Sequence, residues 1–129
     1  MGLKENRAAQ KVQDQQASFD KKLSDYIGKE YSFTVNWDSF MENEKAISML
    51  PGGLFARVSK GFSKVCKDDL GKEAVHESLK AITVEHVEDP SQKSLTFEDG
   101  TLSIVVALHN TSKGIFTDTE YAKAINDAL

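Results

Sequence analysis

The side chains able to do chemistry in this chain are three histidines, one cysteine and a short row of basic residues. His86 stands between Glu85 and Glu88, the nearest approach in the sequence to an acid–base or ligand cluster. Imidazole beside carboxylate is the pairing that proton transfer and metal ligation both use. Glu88 and Asp89 precede a turn, however, and a solvated acidic strand end explains the same residues more simply. His109 follows an apolar strand and precedes Asn110, a junction of the kind where functional residues gather. His76 falls on a predicted helix with Lys72, Glu73 and Lys80, and no second histidine has the i, i+4 spacing of a helical zinc site.

Cys66 follows Val65 and lies one helical turn after Phe62, a setting for an inert, half-buried thiol rather than a nucleophile. As the only cysteine it excludes a disulfide framework and a four-cysteine zinc site, and it fits a reducing compartment. The chain has no Gly-x-Ser-x-Gly elbow, phosphate loop or dinucleotide fingerprint. Pro51-Gly52-Gly53 could present free backbone N–H groups to an anion at a helix start, although a helix break followed by a helix start is the cheaper explanation. On sequence alone no catalytic residue, cofactor or metal is assigned, and the reading leans away from an enzyme.

Arg57, Lys60, Lys64 and Lys67 recur at steps of three, four and three, so they share one helix face. A charged helix face is usually a solvated one. If the stripe binds, it suits an acidic protein, a phosphate-bearing ligand or the acidic half of a second copy. The formal net charge is −4, and residues 81–129 hold three basic against eight acidic side chains. That balance argues against nucleic acid, whose binders carry a basic footprint. No apolar run nears the ~20 residues of a membrane-spanning helix, and the N-terminus lacks an apolar signal region. Met1-Gly2 invites N-myristoylation, but Asn6 stands where Ser or Thr is needed. The expectation is a cytoplasmic protein without membrane contact.

The elements that must position these residues begin with a hairpin. Asp99-Gly100 between apolar runs signals a two-residue type I′ turn, which needs positive φ at both positions. Counting outward sets Glu98 opposite Thr101, Phe97 opposite Leu102, Thr96 opposite Ser103 and Leu95 opposite Ile104. Each pair matches in polarity, and a one-residue slip would spoil all of them. The unbroken run Val105–Leu108 marks the second strand as central. Ile82 and Val84 form an earlier strand whose phase breaks at His86-Val87, read as a bulge or strand end.

Before these, residues 3 to about 27 read as a helix closed by Gly28, with residues 1–18 a candidate for a loose or protruding arm because Val12 stands alone among glutamines. Tyr31, Phe33, Val35 and Trp37 alternate with polar residues as a half-buried strand. Ser39 and Glu42 have capping-box spacing for a helix that Pro51-Gly52-Gly53 should end. A helix over 54–66 follows, then one over 70–81 capped by Asp68 or Asp69 with Leu70, Ala74 and Leu79 inward. Thr117 and Glu120 form another capping box, with Phe116 and Tyr121 as its hydrophobic staple and Ile125 and Leu129 buried.

The resulting expectation is one α+β domain over 1–129. It has a four-stranded antiparallel sheet, a strand near 31–37 beside a meander over 82–108, and helices mainly on one face. The 31–37 strand is expected to pair with 102–108. The leading functional expectation is a non-enzymatic protein-interaction or regulatory domain, acting through the basic stripe on a protein partner or a second copy. The runner-up is a small-molecule binder or hydrolase whose pocket, between helices and sheet, would draw on Tyr31, Trp37, His86 and His109.

Overall fold

Leu3–Ile27 form one helix, α1, in the computed structural model, which describes residues 2–129; Met1 of the Met1-Gly2 motif lies outside them. Gly28 closes it at φ 79°, donating its N–H to Ser24 O at 2.8 Å. Ala9 and Val12, within the stretch read as a candidate arm, are buried and belong to the same core as the rest. β1 (Phe33–Val35) is an edge strand, and side chains of α1 occupy backbone groups of its first residue. Asp20 accepts from Phe33 N at 3.1 Å, and Gln16 donates to Phe33 O at 2.9 Å. An edge covered this way offers little template for a foreign strand.

Trp37–Phe40 form a single turn, α2, and Glu44–Leu50 form α3. The capping box expected at Ser39 and Glu42 is absent. The cap of α3 is Asn43, whose side chain accepts from Ala46 N at 3.0 Å. Ser39 instead donates to Asn36 O and accepts from His86 N. Pro51-Gly52-Gly53 does not end the helix either. A π-helical turn over Pro51–Phe55 carries α3 straight into α4 (Ala56–Val65). Proline lacks an N–H, and the widened turn absorbs the missing bond without a break. There is consequently no helix start at Gly52-Gly53 to receive an anion.

α5 (Asp69–Ser78) is capped by Asp68, which accepts from Gly71 N at 2.7 Å. Leu70, expected inward, is 80% exposed, because it lies five residues before the buried Val75 and so points roughly 140° away from it around the helix. The remaining elements are β2 (Ala81–His86), β3 (Ser94–Glu98), β4 (Thr101–Val106) and α6 (Asp118–Ala128). The hairpin register agrees pair for pair with the sequence reading, and Asp99 and Gly100 sit at φ 52° and 82°. The capping box of α6 forms, and Phe116 meets Tyr121 edge to face at 5.8 Å. Leu129, expected buried, is 44% exposed.

The sheet is mixed rather than antiparallel, in the order β1-β2-β4-β3. Only β3 and β4 pair antiparallel; β1 with β2 and β2 with β4 are parallel. β1 therefore lies beside β2, not beside β4, and the expected meander is replaced by a crossing in which β4 inserts between β2 and β3. Ile82 and Val84 of β2 and Leu102, Ile104 and Val106 of β4 are buried, while Glu85 of β2 and Thr96 and Glu98 of β3 are exposed. No helix among the described residues is long and apolar enough to cross a membrane.

Candidate histidine–carboxylate site

β2 and β4 run side by side in the same direction, with His86 level with Val106. Their C-terminal ends thus emerge together, and the residues just beyond them, Glu88 and His109, meet His86 there. In a meander β3 would lie between the two strands, separating their ends by two strand spacings, roughly 9.6 Å. Ligand sites in sheets with parallel strands favour this end.

His86 continues the inward alternation of Ile82 and Val84 instead of breaking it, and its side chain is only 2% exposed. Its ring lies 5.1 Å from that of Phe40 and 5.3 Å from that of His109. Its backbone N–H donates to Ser39 Oγ at 2.9 Å, which ties the end of β2 to α2. His109 sits on a short closed loop. Ala107 donates to Gly114 O, Gly114 to Asn110 O, and Asn110 to Ala107 O. The Asn110 side chain accepts from Ser112 and Lys113 and stiffens the same loop.

Glu88 bridges the two rings. His86 Nε2 is 3.1 Å from Glu88 Oε1, and His109 Nε2 is 3.5 Å from Glu88 Oε2. Asn43, the cap of α3, reaches the same carboxylate from its Nδ2 at 3.4 Å. The hydrogen bond with His86, with help from Asn43 and the nearby His109, holds the Glu88 carboxyl below its ordinary range, so it stays a carboxylate. Nδ1 of each ring is buried without a hydrogen-bond partner. Asp38, Ser39, Met41 and Glu42 border the depression beside His86 and Glu88, which has a volume of about 390 Å³.

Of the four pocket residues expected from sequence, the structure joins His86 and His109. Trp37 stands one layer away, its ring 6.4 Å from Phe40. Tyr31 lies at the opposite end of the sheet, where its hydroxyl donates to Leu79 O just before β2. Glu85, the other neighbour of His86, is exposed and bonded by Asn36. His76 sits apart, on α5 near Ile27 O.

The basic stripe runs beside the start of α6 rather than facing open solvent along its length. Arg57 donates to Phe116 O at 3.3 Å, and Lys64 pairs with Asp118 at 2.8 Å and reaches Thr119. Lys60 also approaches Asp118, at 3.9 Å, so Lys60 and Lys64 meet α6 itself while Arg57 meets the residues just before it. Gly61 permits this close approach, since a Cβ there would come within 2.9 Å of Tyr121 Cβ. Ser39 and Asn43, which hold the site from α2 and from the cap of α3, were not read from the sequence as site residues, Ser39 figuring there only as a helix cap. The one signal for Asn43 was its place directly before Glu44 as a helix cap.

Fold and site together define a small α+β domain with an imidazole–carboxylate–imidazole cluster at the C-terminal ends of two parallel strands. Compared with models of protein families, with curated proteins and with solved structures, the chain matches none.

Proposed function

We propose that this protein is a small cation-binding domain of the cytoplasm, its ligand seated at His86, Glu88 and His109. The observation that carries the reading is one carboxylate held against two imidazole rings whose other nitrogens are engaged by nothing. The surroundings agree in sign. Asp38, Glu42 and Glu88 border the depression and no lysine or arginine does, so its field attracts cations and repels anions. In this reading the helices pack mainly on the sheet face bearing Ile82, Val84, Leu102 and Ile104, leaving the strand ends free to form the site.

Histidine side-chain ¹H–¹⁵N spectra of the full chain test it. Divalent metal ions or organic ammonium compounds should shift the His86 and His109 ring signals, while phosphate and citrate should not. Rings that answer to neither kind of cation, or to anions equally, overturn the reading.

A second reading, a domain acting through protein contacts, draws on a different observation. Leu70 and Leu129 stand exposed on the rim of a depression of about 830 Å³ between α5 and α6. Lone exposed leucines are common, but two on one concave rim are less so. Leu70→Lys should then abolish self-association or co-purification of a partner, and an unchanged elution volume at every protein concentration would remove this reading.

A further inference from the structure

We propose that His86, Glu88 and His109 ligate a single first-row divalent transition-metal ion, with zinc the type case. The inference rests on the cation reading and names its ligand.

The spacing carries it. In a tetrahedral site with metal–nitrogen and metal–oxygen bonds of about 2.0–2.2 Å, neighbouring donor atoms stand about 3.3 Å apart. His86 Nε2 lies 3.1 Å from Glu88 Oε1 and His109 Nε2 lies 3.5 Å from Oε2, the other oxygen of the same carboxylate, and one donor atom from each of the three residues lies within 4.8 Å of the others. A bare ion fits among atoms so close; an organic ammonium does not, and could only sit above them. The donor chemistry narrows the metal. Two imidazoles and one carboxylate suit zinc, nickel, copper or iron, whereas calcium and magnesium take shells of oxygen.

The fold also holds the donors as ligands must be held. His86 is walled in by Phe40 and pinned through its backbone to Ser39. Asn43 orients the carboxylate, the outer partner that metal-binding groups commonly need. With an ion on Nε2 the imidazole proton sits on Nδ1, which no group accepts in either ring, so the metal–nitrogen bonds must offset an unmet N–H. Three protein ligands leave a fourth position for water, the arrangement of zinc sites that stay open. The adjoining depression, bordered by Ser39, Asp38 and Glu42, gives that position access to solvent.

The test is zinc titration of the full chain, stripped with chelator, followed by calorimetry, with cobalt(II) absorbance reporting coordination geometry. Wild type should take up one zinc per chain and show the intense visible bands of four-coordinate cobalt. His109→Asn and Glu88→Gln, both at partly exposed positions where folding should survive, should each weaken zinc binding at least ~100-fold. His76→Asn should bind as wild type does. Failure of wild type to bind zinc, or undiminished binding in both His109→Asn and Glu88→Gln, overturns the assignment. If ammonium compounds shift the two rings and zinc does not, the metal falls while the cation reading stands; silence from both removes both.

Discussion

Cys66 shows how partial burial quiets a reactive group. Its thiol is pushed up to about 11 from an ordinary 9.0, chiefly by burial, with Lys72 pulling against that and Asp68 adding to it. The thiolate is the nucleophile, so at pH 8 the folded protein should react with iodoacetamide ~100-fold more slowly than an unfolded chain, two pH units being that ratio. Alkylation rates in buffer and in denaturant check it; equal rates would mean the thiol is open to solvent. The linkage sign follows. The unfolded thiol ionises first, so this group's share of stability is intact below pH 9 and is lost as pH rises toward 11. Cys66 was legible as an inert residue because its apolar neighbours are adjacent in sequence. His86 was not, because an alternating strand that reaches a polar residue reads as having ended. In the structure the alternation runs on, and the polar residue simply occupies the next inward slot.

At the scale of elements, the loop from Ala107 to Gly114 decides where His109 points. A Cβ on Gly114 would lie 2.1 Å from Ala107 O, a backbone atom with nowhere to go. Gly114→Ala should therefore cost about 1–3 kcal/mol of stability, the range of overpacked sites. It should also move the His109 ring signal while leaving His76 unmoved; a shift in neither stability nor signal would show the loop to be pliable. The helices allow a sharper contrast. Leu54→Ala empties a fully buried position and should cost about 2–5 kcal/mol, whereas Leu70→Ala, at 80% exposure, should stay within about 0.5 kcal/mol of wild type. Urea denaturation separates the two, and similar losses would mean Leu70 is covered in solution. Local chemistry was the legible part: the Asp99-Gly100 turn, the Gly28 stop and the Thr117 box each rest on residues within four of one another. The helix through Pro51 was not legible, because a π turn satisfies its backbone in a way that no local residue pattern announces.

The order of the strands belongs to the whole molecule, and with it the site. Whether β4 lies outside β3 or slips between β3 and β2 changes no local pairing, since the β3–β4 register is the same in both. Alternation and turn chemistry cannot separate the two arrangements. Only the second brings His86, at the end of β2, beside the loop that carries His109 out of β4. The ligands consequently come from segments that are distant along the chain, with Glu88 steadied by Asn43 from 45 residues away. An unfolded chain does not hold such a set together, so an ion bound there stabilises the folded state by mass action. At free zinc about 100 times the dissociation constant the gain is about 2.7 kcal/mol, which raises the midpoint of thermal unfolding by on the order of 10 °C in a chain of this size. Chelator should return the midpoint to its starting value. His109→Asn should melt at the same temperature with or without zinc. A wild-type midpoint indifferent to zinc would show that the three donors do not act as one site. A zinc-dependent rise persisting in His109→Asn would place the ion elsewhere in the fold.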